Sequence, residues 1–166
     1  MEQRTVIREC LATDAAAVCE IYNHYIRDTV VTFEETPLTV AEMAERIVEI
    51  GARFPWLVLE SGGVVIGYAY ASRWKARSAY RFAVESTIYL APQSTGRGLG
   101  RGLYAALLAE LGRRGFHSVI GGIALPNGAS VALHEKLGFK SIGTFTGVGW
   151  KFDRWVDVGY WELILG

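Results

Sequence analysis

Cysteine is scarce in this chain: Cys10 and Cys19 are the only two in 166 residues. Two thiols build neither a disulfide framework nor a four-ligand zinc site. They are expected as buried, small apolar side chains of a reduced, cytoplasmic protein. An excess of either charge is also lacking, with 17 basic against 17 acidic side chains. That balance argues against nucleic acid or an anionic membrane as the main partner. No apolar run approaches the length of a membrane span, and the N-terminal MEQRTVIREC is too polar for a signal peptide. Repeats, low-complexity tracts and linkers are absent, so the length predicts one domain over residues 1–166. With 51% hydrophobic residues, such a chain is expected to bury about 70% of its unfolded surface.

What is present is concentrated between residues 84 and 111. Residues 84–90 (VESTIYL) are rich in β-branched and aromatic side chains and read as a strand. Ala91 and Pro92 stop it, because proline offers no N–H to a ladder. The glycine-rich QSTGRGLG of 93–100 follows and leads into a helical run over 103–111. A glycine turn at a helix start exposes backbone N–H groups. The helix dipole adds partial positive charge there, and Arg97 and Arg101 add whole charges. Strand, turn and helix therefore suit a phosphate-bearing ligand. The mononucleotide loop is excluded because no Gly-Lys-Ser/Thr follows, and the dinucleotide fingerprint because position 101 is Arg101.

Elsewhere, residues 6–8 read as a first strand, and Thr13 and Asp14 as the cap of a helix through Tyr22. Residues 22–37 are aromatic as well as polar. They read either as a loop over a core edge or as one wall of a substrate pocket, with Phe33 and Glu34 at its lip. Thr39 and Glu42 form a capping box for a helix over 40–50. Strands follow at 56–59 and 64–71 around a turn at 60–63. Further strands are expected at 118–124, 140–146 and 156–165, with a short helix at 131–137 closed by Gly138 and a glycine- and aromatic-rich loop at 147–155. The order predicts an α/β chain, α+β in arrangement, with a mixed, mostly antiparallel sheet flanked by helices. Between the third and fourth strands, Lys75, Arg77, Tyr80 and Arg81 lie in a cationic, aromatic segment. This is either a solvated basic loop or a set of cations for an anionic substrate.

Two motifs carry a resemblance. QSTGRG at 93–98 resembles the Q/R-x-x-G-x-G/A pyrophosphate loop of the GNAT acyl-CoA N-acyltransferases. NGASVALHEKLGF at 127–139 resembles that superfamily's second signature, arriving about 30 residues later in the expected order. Within the superfamily, YNHYIRDTVVTFEETP, WKARSAYRFAVESTIYL and GVGWKFDRWVDVGYW resemble the phosphinothricin/methionine sulfoximine N-acetyltransferases.

The resemblance implies an acetyl-CoA-dependent N-acetyltransferase acting on the α-amine of a small amino acid, by direct transfer, with acetyl-CoA as cosubstrate and no metal. It implies Glu85 as the base, where the residue itself would also serve as a sheet-edge carboxylate paired to Arg81 or Lys75. The fourth strand is expected to splay from the fifth at a bulge, freeing the backbone N–H groups of Ile88, Tyr89 and Leu90 for an oxyanion and for the pantetheine. His134 occupies the place of a tyrosine frequent in the superfamily, implying a general acid or thiolate stabiliser; a packed or capping histidine is the alternative. Gly96, Arg97, Gly98, Leu99, Gly100, Arg101 and Asn127 are the implied CoA contacts. Lys75, Arg77 and Arg81 would meet the anionic groups of the acceptor, Phe33 and Tyr80 its apolar side, and Ser86 and Thr87 would offer hydroxyls. His24 and His117 read as structural. The family is dimeric, which implies a homodimer. Two other readings stay open, an acetyltransferase for a different amine and a CoA-binding module without catalysis.

Overall fold

The computed structural model describes residues 4–166; the first three residues of the polar N-terminal stretch lie outside the described residues. Seven strands form one sheet in the order β1-β2-β3-β4-β5-β7-β6. They are β1 (Thr5–Glu9), β2 (Trp56–Ser61), β3 (Val64–Arg73), β4 (Ala83–Leu90), β5 (Ser118–Leu125), β6 (Lys140–Lys151) and β7 (Arg154–Ile164). Every pairing is antiparallel except β4 with β5. The mixed, mostly antiparallel sheet expected from the sequence is therefore present.

Helices cover both faces. α1 (Ala15–Asp28) and α2 (Val40–Gly51) lie on one side, where Val18, Ile21, Ile26, Met43 and Ile47 pack with Trp56, Val58, Tyr68 and Tyr89. α3 (Leu99–Arg113) lies on the other, burying Leu103, Leu107, Leu108 and Leu111 against Val84, Val119 and Ile123. Each such leucine contributes about 2 kcal/mol of burial. α4 (Gly128–Lys136) closes that face near β5. Cys10 and Cys19 are buried free thiols, and burial pushes the Cys10 thiol up to about 12.

Several boundaries differ from the sequence reading, each for a physical reason. α1 runs six residues past Tyr22, because Tyr22, Tyr25 and Ile26 continue its apolar face. Asp14 stands at its N-cap position, yet its carboxylate turns to Arg8 and the Leu11 N–H instead of capping. α3 starts at Leu99, so Gly100 and Gly102 are helical; Gly98 takes a left-handed φ of 74° at the cap, which a side chain would resist. The expected loop at 147–155 is mostly strand. β6 and β7 form a long hairpin whose turn is Phe152 and Asp153, both at positive φ (52° and 55°).

Candidate active site

The parallel pair at the centre of the sheet sets the site. β4 meets β5 only at Ala83↔Ser118, Val84↔Val119 and Glu85↔Ile120; beyond Glu85 the two strands part. β5 continues to Leu125 on β7, and β4 continues to Leu90 on β3. The splay expected from the resemblance is there, but no bulge makes it, since the β3–β4 register runs without a shift. Alternation then sorts the backbone of β4. The Ala91 N–H bonds to the Ile66 carbonyl on the β3 side, so the odd-numbered residues, Tyr89 included, turn their N–H groups to β3. Ile88 and Leu90 turn theirs to the open edge, where the Leu90 carbonyl already accepts from Tyr25 at 2.5 Å. Of the three amides read as oxyanion donors, the Tyr89 N–H is thus committed to the sheet.

A cleft of about 350 Å³ opens in this gap, and Glu85, Thr87, Phe33, Asn127, His134 and Tyr160 are among its lining residues. The Glu85 carboxylate makes no hydrogen bond to a described residue. Burial raises its pKa above the ordinary carboxylate value, and the charge of Lys75 pulls the other way. A half-buried carboxylate with a raised pKa and free lone pairs is suited to take a proton.

His134 is 4% exposed and lies in a chain of buried hydrogen bonds. Its Nδ1 is 2.8 Å from the Ser130 carbonyl. A carbonyl only accepts, so Nδ1 carries the hydrogen and, in the neutral ring, Nε2 accepts. The Tyr104 hydroxyl, 3.0 Å away, donates to Nε2 and in turn accepts from Ser86 Oγ at 2.6 Å. Burial lowers the His134 pKa below its ordinary value, which keeps the ring neutral. Tyr104 was not picked out in the sequence. Its one signal is a tyrosine on the core face of a helix, in step with Leu107, Leu108 and Leu111.

The other expected residues divide. Phe33 lines the cleft, with Thr32 beside it; Glu34 is bound to Arg46 and accepts from Tyr22. Asn127 lines it too and caps α4, accepting from the Ser130 N–H at 3.1 Å. Ser86 and Thr87 both line it, although Ser86 Oγ is taken up with Tyr104. Lys75 sits over Trp74, whose ring meets Tyr160 edge-on at 5.9 Å, so this loop is hooked to the cleft rim. Lys75, Arg77, Tyr80 and Arg81 are all exposed and none is among the lining residues; Arg81 lies over Phe82 and donates to the Ser78 carbonyl. His24 pairs with Asp28, and neither it nor His117 lines the cleft.

Beyond Leu90 the chain reaches the glycine turn. Gly96 and Gly98 have φ of 72° and 74°, and a Cβ at either would meet nothing within 4 Å, so their backbone is open to a ligand. Arg97, just before α3, and Arg101, in its first turn, are both exposed. An open strand edge running into a bare helix N-terminus fits an extended, phosphate-terminated ligand such as acetyl-CoA. Among the described residues, no three His, Cys, Asp or Glu side chains cluster to hold a metal.

Comparison with known proteins agrees with this geometry. The sequence profile of the acetyltransferase (GNAT) domain matches residues 7–159. A phosphinothricin N-acetyltransferase of Streptomyces viridochromogenes is 47% identical over 162 residues, covering 97% of this chain and 88% of that protein. An L-methionine sulfoximine/L-methionine sulfone acetyltransferase of Salmonella typhimurium is 37% identical, covering 96% and 94%. The crystal structure of a GNAT superfamily phosphinothricin acetyltransferase from Sinorhizobium meliloti, in complex with acetyl-CoA, superposes with a TM-score of 0.94 at 39% identity, covering 98% of this chain and 89% of that one. Splayed strands, glycine turn and sequence kinship together make this chain a member of the GNAT acetyltransferase family.

Proposed function

We propose that this single-domain protein transfers the acetyl group of acetyl-CoA directly to the α-amine of a small amino acid with a tetrahedral side-chain group, such as phosphinothricin, methionine sulfoximine or methionine sulfone. The observation that carries the reading is Glu85, a carboxylate of raised pKa at the point where β4 and β5 part. The relatives' names supply the acceptor class.

In this mechanism Glu85 takes a proton from the acceptor's ammonium, directly or through a water, and the freed lone pair attacks the thioester carbon. The open-edge N–H groups of Ile88 and Leu90 receive the negative charge as the carbonyl oxygen becomes an oxyanion. The C–S bond then breaks, the amide forms as its nitrogen sheds a second proton, and the thiolate takes that proton up. His134, its Nδ1 hydrogen on the Ser130 carbonyl and its Nε2 accepting from Tyr104, has no free hydrogen to give that thiolate and serves to position α4 against α3 and β4. The glycine turn from Gly96 to Arg101 holds the pyrophosphate, with Asn127 beside the pantetheine arm. Lys75, next to the Trp74 that meets the rim residue Tyr160, answers the acceptor's carboxylate, with Arg77 and Arg81 further out; Phe33 bounds its apolar side. Neither a metal nor a covalent enzyme intermediate is called for.

We place the enzyme in the cytoplasm, in keeping with its buried free thiols. A homodimer accounts for the β6 edge, where Phe145 is 60% and Trp155 of the paired strand 67% exposed. The test is thiol release from acetyl-CoA with a panel of phosphinothricin, methionine sulfoximine, methionine sulfone, ordinary amino acids and a polyamine. Rapid release with the tetrahedral-group amino acids is expected. Release with the polyamine alone overturns the acceptor class, and CoA binding without release from any amine overturns catalysis.

A further inference from the structure

One hydrogen bond joins residues far apart in the chain beside the cleft. Lys151, the last residue of β6, is 1% exposed, and its Nζ donates to the Thr32 carbonyl at 2.8 Å. A buried ammonium is costly unless paired, so a cation retained here serves a contact that an apolar side chain cannot make. The Phe152 ring lies 5.1 Å from Nζ. Burial draws the lysine pKa down, and the charge of Glu35 opposes that shift.

The two ends of this bond belong to two segments that both line the cleft. Val31, Thr32 and Phe33 line the cleft, and so do Val148 and Val158 of the β6–β7 hairpin. The Phe33 ring rests on the hairpin backbone at Gly149, where a Cβ would come within 2.2 Å of the ring. Other ties on this strap of residues 31–34 come from the helices: Tyr22 of α1 is 2.9 Å from Thr32 Oγ1, and Arg46 of α2 holds Glu34. Among the hydrogen bonds of the described residues, only that of Lys151 links the strap to the hairpin.

We propose that Lys151 is a specificity-determining positioning residue: its ammonium latches the strap of Val31, Thr32 and Phe33 to the hairpin, fixing the width of the acceptor end of the cleft and favouring compact amino acids. This rests on the acceptor reading given above. Loss of the latch frees the Thr32 carbonyl and lets Phe33 lift from Gly149, while the glycine turn on the far side of β4 is left as it was.

The test compares the full-length wild type with Lys151→Met and Lys151→Gln, the second keeping a polar donor and serving alone if the first does not fold. Steady-state constants for phosphinothricin and acetyl-CoA are measured alongside hydrogen exchange of the strap amides. For Lys151→Met, the KM for phosphinothricin is expected to rise about tenfold or more, with that for acetyl-CoA within about twofold. Its preference for phosphinothricin over phenylalanine is expected to shrink, exchange at 31–33 to quicken with β4 unchanged, and Lys151→Gln to fall between. An unchanged acceptor KM in a folded variant overturns the latch, as does an equal loss on both substrates. If the wild type acetylates no amino acid, the acceptor reading fails and the latch fails with it as a specificity device; strap exchange then reports only whether the tie exists.

Discussion

Tyr104→Phe isolates the buried chain that joins β4, α3 and α4. The substitution removes one oxygen and keeps the ring, so the edge-on contacts of Tyr104 with His134 (5.1 Å) and Phe139 (5.6 Å) survive. Two hydrogen bonds are lost, and their ends fare differently. Ser86 Oγ already lies 3.5 Å from the Ile120 carbonyl and can turn to it. His134 Nε2 has no second partner among the described residues, and the Nδ1 hydrogen stays on Ser130. One buried acceptor left unsatisfied costs about 1–3 kcal/mol. Taking about 2 kcal/mol, Tm should fall by roughly 4–8 °C for a chain of this size. Ser86→Ala should cost less, since Tyr104 still donates to His134. The double variant should cost less than the sum of the singles, because both act on one chain of bonds. Thermal and urea unfolding read all three. A Tm unchanged within a degree for Tyr104→Phe, or strict additivity with Ser86→Ala, would refute the network.

Two further outcomes follow from the same geometry. Because burial depresses the His134 pKa, the unfolded chain binds that proton first; stability from the neutral ring is full above about pH 6.5 and is lost as pH falls toward the folded value. His134→Gln should flatten the acid side of the stability profile relative to wild type, read from urea midpoints on either side of that pH. Gly98→Ala puts a side chain at φ 74° with no steric neighbour, so its cost is the left-handed backbone alone, about 1 kcal/mol. The KM for acetyl-CoA should rise and that for the amino acid should not, as initial-rate measurements on each substrate would show.

Local features were the ones legible in the sequence. The strand into Leu90, the proline stop and the glycine turn each depend on neighbours in the chain, as does the capping box at Thr39 and Glu42, which the structure reproduces in full. Glu85 stands in that strand, but its role as base comes from the family resemblance, since by itself it reads equally as a sheet-edge carboxylate. Residues whose meaning lies in tertiary contacts were not legible. Tyr104 looks like any core tyrosine until α4 brings His134 beside it, and Lys151 like any strand lysine until the strap passes over it. The last two turns of α1 were obscured by polar Asn23 and His24, whose spacing still leaves Tyr22, Tyr25 and Ile26 on one face. Both strands of the β6–β7 hairpin are legible, but its distal part at 147–155 reads as a loop because its glycines lie within a strand and its turn, Phe152 and Asp153, contains none.

The most direct test of Glu85 as the base of an acetyl transfer is the pH dependence of kcat/KM for phosphinothricin in wild type and Glu85→Gln. The wild-type rate should rise with pH through an acid limb above the ordinary glutamate value of about 4.3, because burial holds the Glu85 pKa up. The glutamine variant should lose about 10²–10⁴-fold and show no such limb. A variant that kept the wild-type rate at every pH would contradict that role.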